Sequence, residues 1–117
     1  MRKFIKAKPK DIVGSSFDGY LLMPYDHLVF HLGEPHDCTK DGAWKSKDNK
    51  VRALWAFKSR HKKPTIITIY DYKESASVKA VRVWHVSVKG DDTRLADFYF
   101  ERGLGEKLPT PKGLGTP

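Results

Sequence analysis

One cysteine, Cys38, stands in the whole chain, so no intramolecular disulfide can brace the fold. A lone thiol fits a reducing compartment. No run of about 18 apolar residues occurs, which leaves nothing to span a membrane as a helix. The opening MRKFIKAKPK has the charge of a secretory leader's first region but lacks the apolar stretch that should follow. Acids are few beside bases: 14 Asp and Glu stand against 22 Lys and Arg, a net charge of +8 in 117 residues. There is no internal repeat and no glycine loop of the kind that cradles phosphates. These absences describe a soluble, intracellular protein of one domain, with 39% apolar residues to build a small core.

What is present is concentrated positive charge. Between Lys40 and Lys63 there are nine basic residues and two acids, Asp41 and Asp48. The first ten residues add Arg2, Lys3, Lys6, Lys8 and Lys10 without an acid. Clustered charge of one sign raises the local concentration of oppositely charged partners and speeds their encounter. Nucleic acid, a nucleotide or an acidic protein face are the candidates.

Residues 1–16 read as a basic arm broken by Pro9, 17–103 as the domain, and 104–117 as a Gly/Pro-rich tail. Phe17 to Met23 is a short apolar strand. Tyr25 to Leu32 is a helix introduced by Pro24, with Tyr25, Leu28, Val29 and Leu32 on one face; Gly33 ends it and Pro35 prevents its resumption. A polar loop, His36 to Lys50, leads to three strands. In the first, Val51, Ala53, Trp55 and Phe57 form an apolar face. Thr65 to Tyr72 is dense in β-branched and aromatic residues, as a central strand requires. Val81 to Val88 is the third. Asp91 or Asp92 caps a second helix with Leu95, Phe98, Tyr99 and Arg102 on one face, ended by Gly103. The expected fold is α+β: a single small domain with an antiparallel three- to four-stranded meander covered by one or two helices, in the order β-α-β-β-β-α.

Three groupings invite a catalytic or metal reading. His27 and His31 lie four apart on the first helix, yet Leu28 occupies the place of the glutamate in an HExxH motif, and no third or fourth ligand follows at a fitting spacing. No metal site and no cofactor are expected. His36, Asp37 and Cys38 are adjacent in sequence, whereas a nucleophile and its base must converge in space. Asp91 and Asp92 are explained by the helix cap. No converging nucleophile, base and orienter can be named, so the chain is read as non-enzymatic.

LVFHLGEP (Leu28 to Pro35), the pair Trp55 and Phe57, TIYDYK (Thr68 to Lys73) and WH (Trp84, His85) occur in an ordered pattern. It resembles that of a family of small, functionally uncharacterised phage and large-virus proteins, LxxxFGxP, WxF, TIYxYK, WHxGG. WHVSVKG stands where WHxGG would run, and Leu32 where an aromatic is usual. The resemblance covers Gly19 to Gly90 and implies a viral accessory protein acting in the host cytoplasm. A helix ending in LGxP before three antiparallel strands also looks like the lipoprotein subunits of outer-membrane assembly machinery and the β-lactamase inhibitor proteins, which are binding modules.

The binding residues expected from charge are Lys58, Arg60, Lys62 and Lys63 of the hairpin and Lys45, Lys47, Lys50 and Arg52 of the preceding loop. If both lie at one end of the sheet, they merge with the amino-terminal arm into one patch. Tyr72, Lys73 and His85, near strand ends, are candidates for a stacking platform, since bases stack on aromatics while phosphates pair with cations. The rival expectation is an inhibitor of a host defence factor, docking on an acidic protein surface.

Overall fold

Alternation along residues 53–70 gives the sheet two unlike faces. In the computed structural model, which describes residues 3–36, 53–71 and 81–104, strands β3 (Leu54–Ser59) and β4 (Ile66–Tyr70) pair antiparallel, with Trp55 opposite Ile69 and Phe57 opposite Ile67. Strand β5 (Val83–Lys89) continues the meander on β4. Trp55, Phe57, Ile67, Ile69, Trp84, Val86 and Val88 form the inner face, packed beneath two helices. Strand β2 (Ser16–Leu22) adds to the far side of β5 and β1 (Phe4–Lys6) to the far side of β3. The sheet is thus five-stranded and wholly antiparallel in the order β1-β3-β4-β5-β2.

Helix α1 (Tyr25–Leu32) has the bounds its sequence signals require, and buries Leu28 and Leu32. The two inner tryptophans, whose rings meet edge to face at 5.3 Å, tie down its ends. Trp84 Nε1 donates to the Met23 carbonyl at 2.8 Å, and Trp55 Nε1 to the Gly33 carbonyl at 2.9 Å. Both indoles are fully buried, so each N–H needs a partner, and the ends of α1 supply one.

Helix α2 (Arg94–Glu101) buries Leu95, Phe98 and Tyr99. Its N-cap is Thr93, and Asp91 acts two residues earlier: its carboxylate accepts from the Thr93 amide at 3.0 Å and the Thr93 hydroxyl at 2.6 Å. At the other end the Leu104 amide reaches the Tyr99 carbonyl and the Gly103 amide the Phe100 carbonyl, a Schellman ending. Gly103 makes it possible at φ +75°, and a Cβ there would lie 3.2 Å from the His31 ring. Leu104, assigned by sequence to a tail, is buried in the core; residues 105–117 lie outside the described residues.

The sheet has more strands than the three or four expected, and the surplus corrects the reading of residues 1–16 as an arm. Phe4 is buried against Phe98, with ring centroids 5.3 Å apart. The outward edge of β1 is held by the end of α2: Glu101 accepts from the Lys3 and Phe4 amides, and Arg102 donates to the Phe4 carbonyl at 2.7 Å. Residues Pro9–Ile12 then form a 3-10 turn. Tertiary partners override a composition that by itself reads as solvated.

Candidate nucleic-acid interface

The outer face of the sheet is covered on one side only. Ala7 and Ile12, before and within the 3-10 turn, pack on Leu54, Ala56, Ile66 and Tyr70. Over β5 and β2 the face is open among the described residues, leaving a depression of about 300 Å³ lined by Phe17, Tyr20, Tyr70 and His85. The Tyr70 and His85 rings stack at 5.5 Å, and Tyr20 meets His85 edge-on at 5.1 Å. Phe17 lies 5.1 Å from Tyr20 and 5.6 Å from His85. The Tyr70 hydroxyl and Ser87 Oγ share a hydrogen bond of 3.0 Å.

His85 therefore faces outward and Trp84 inward, the alternation the strand demands. Phe17 and Tyr20 carry no such signal. Three residues apart on a regular strand, they would point to opposite faces. A shift of register between Phe17 and Gly19 inserts an extra residue opposite β5, and this bulge turns both rings to the outer face. Only a rule for placing the bulge could have found them.

Phe17 also borders a second depression, of about 260 Å³, with Ser16, Asp18, Lys89 and Asp92 on its walls. Nearby, Lys58 Nζ lies 3.5 Å from the Asp11 carboxylate, and Lys89 Nζ donates to the Asp11 carbonyl at 3.3 Å. The Lys8 amide donating to Asp11, with the Lys58 charge beside it, holds that carboxyl below its ordinary range. Lys58 is thus engaged by an acid rather than presented to solvent.

The remaining hairpin cations differ. Ser59 and Thr65 close the loop through their backbones at 2.9 Å, and Ser59 Oγ accepts the Thr65 amide at 2.9 Å. Arg60, His61, Lys62 and Lys63 project beyond this clasp, all exposed. Arg60, Lys62 and Lys63 make no ion pair with a described residue. The Arg60 amide donates to the Lys3 carbonyl at 2.9 Å, which sets the exposed Lys3 beside the hairpin. At its base the Thr65 hydroxyl bonds both the amide and the carbonyl of Asp91. Gly90 allows this approach: at φ +108° its Cβ would sit 3.2 Å from the Pro64 carbonyl oxygen.

Lys45, Lys47, Lys50, Arg52, Tyr72 and Lys73 lie outside the described residues. The segment carrying the first four leaves at His36 and returns at Ala53, beside Leu54 and therefore at the opposite end of β3 from the hairpin. The described chain thus brings the hairpin together with Lys3. His85 belongs to the aromatic depression farther along the same face.

No family model matches the chain, and neither the curated proteins nor the solved structures searched give a match. The resemblance to small viral proteins rests on the quoted sequence motifs.

Of the groups that suggested chemistry, Asp37 and Cys38 lie outside the described residues, while His36 and Asp91 hold structure. His36 is buried; its Nδ1 accepts the Ala56 amide at 3.1 Å while its own amide donates to the Leu54 carbonyl. Asp71 Oδ1 accepts the Ala53 amide at 2.9 Å. Among the described residues no group of three or more His, Cys, Asp or Glu converges to hold a metal, and no helix is long and apolar enough to cross a membrane.

Proposed function

We propose that this chain is a non-enzymatic viral accessory protein that binds an anionic partner, nucleic acid or a nucleotide, through the Lys58 to Lys63 hairpin. The observation carrying the reading is the exposure of Arg60, Lys62 and Lys63 without an acidic partner among the described residues, alongside Lys3. Cations already paired to protein carboxylates gain little from a phosphate, whereas these three lose no existing bond. The non-enzymatic part rests on the sequence, in which no converging nucleophile, base and orienter can be named, and on His36, whose Nδ1 accepts a backbone amide.

The test is affinity for short single- and double-stranded DNA and RNA at two salt concentrations, repeated with Arg60, Lys62 and Lys63 changed to Glu. Each phosphate contact on duplex DNA adds about 0.9 to the logarithmic salt slope. Binding is expected to weaken by more than about tenfold in the triple variant, with a shallower slope and a melting temperature near the parent's. Unchanged binding removes the hairpin from the interface.

A second reading, a protein-binding inhibitor of a host defence factor, is favoured by two phenylalanines on the helix layer. Phe30 and Phe100 are 84% and 81% exposed. Exposed large aromatics are the anchors that protein interfaces use.

A further inference from the structure

We propose that the aromatic depression on the outer sheet face is a nucleobase subsite, so that the anionic partner is a single-stranded nucleic acid with one base unstacked into the depression lined by Phe17, Tyr20, Tyr70 and His85. This deepens the functional reading above and rests on it.

Three observations lead there. Four rings with centroid spacings of 5.1–5.6 Å line one depression. Its volume, about 300 Å³, is at the small end of ligand pockets, a size for a planar ring and not for a folded peptide. Every base has a π-face, so such a site accepts bases with little sequence preference.

The second observation is the approach. Among the described residues the segment around Ala7 and Ile12 closes the β3–β4 side of this face, while the depression stands over β5 and β2, the side from which a strand would reach the rings. The third is the route onward. Phe17 is shared with the polar depression, whose wall carries Lys89. Lys89 pairs with Ile66 at the hairpin end of β4, while His85 pairs with Tyr70 at the other end. The rows are four residues apart, about 13 Å along the strand. A base on the rings therefore directs its backbone past Lys89 toward Arg60, Lys62 and Lys63.

Asp18 and Asp92 line the same passage. They repel a phosphate and accept a sugar hydroxyl, which leaves phosphate contact to the hairpin. A duplex fits this arrangement poorly, because its bases are stacked and paired and one must be extruded at a cost of a few kcal/mol.

The experiment uses the full chain with a short oligothymidylate, an oligouridylate and a duplex of equal length at one salt concentration. Each single strand has a version carrying a fluorescent base analogue. Either single strand is expected to bind at least about tenfold more tightly than the duplex, with the analogue's fluorescence quenched as it stacks. Phe17→Ala should lower single-strand affinity by about tenfold, leave duplex binding unchanged, and be rescued by Phe17→Trp. If Phe17→Ala melts early, His85→Gln supplies the second test with the same expected loss. Equal binding of single strand and duplex, insensitive to both variants, overturns the subsite while the basic-hairpin reading stands. No binding of any nucleic acid overturns both.

Discussion

His36 shows how one residue type can look catalytic and serve the backbone. Burial, with the charges of Lys6 and Arg102 nearby, lowers its pKa from 6.5 to about 4. The neutral ring is what the fold needs, because Nδ1 must accept the Ala56 amide. In the unfolded chain the ring takes up its proton near 6.5, so between there and about 4 the unfolded state binds more protons. Stability from this group is fully present above 6.5 and is lost as pH falls through the window, by up to about 3 kcal/mol. Urea unfolding at pH 7 and pH 4.5 should reveal the drop. His36→Asn, which keeps an acceptor without the titration, should flatten it; equal slopes in the two proteins would assign the loss to other groups. Tyr99 poses the converse case. Its hydroxyl is buried without a hydrogen-bond partner among the described residues, and burial pushes the phenol far above its ordinary range. Tyr99→Phe removes a desolvated group, so the melting temperature should hold or rise, by the equivalent of about 1 kcal/mol. A marked fall would reveal a partner for that hydroxyl.

Among the elements, β1 depends most on distant residues. Its edge is held by Glu101 and Arg102, and the Lys3 amide and the Glu101 carboxylate are 98 positions apart. Glu101→Ala should therefore release β1 locally: in hydrogen exchange the Phe4 amide loses protection, whereas Ile67 and Ile69 of the central β4 keep theirs. Loss of protection in both strands would mean that β1 and β4 open as one unit. The same distance explains why β1 was illegible in the sequence, where FIK among lysines carries no strand signal. By contrast α1 was legible to the residue, because Pro24 and Gly33 mark its ends locally and the tryptophans that tie it lie on β3 and β5, two strands with readable alternation. The meander β3-β4-β5 was legible for the same reason. Of the candidate site, the hairpin was written in its charge and His85 in its alternation with Trp84. Phe17 and Tyr20 were hidden by the bulge, since periodicity assumes an unbroken pleat.

Taken whole, the molecule presents two unlike surfaces on opposite sides of one sheet. The outer side has the aromatic depression and, at its end, the basic hairpin. Among the described residues the helix side exposes Asp26, His27, Phe30 and Glu34 from α1 and its end, and Ala96, Asp97 and Phe100 from α2, three acids around two bare phenyl rings. The charge of +8 is therefore unevenly spread over the described residues, and the two bare phenyl rings stand beside acids while the hairpin cations stand apart from them. The two functional readings separate on this geometry. Changing Phe30 and Phe100 together to Ser touches no buried packing, so stability should stay within about 0.5 kcal/mol of the parent. Affinity for single-stranded nucleic acid should be unchanged, while the hairpin reversal abolishes most of it at equal stability. The comparison is made by denaturant unfolding and by oligonucleotide titration of the parent, the Phe pair and the hairpin variant in parallel. If instead the parent binds no oligonucleotide and a purified host protein forms a complex that the Phe pair alone breaks, the helix layer is the working surface. The charge of the hairpin then serves solubility and strand-edge protection.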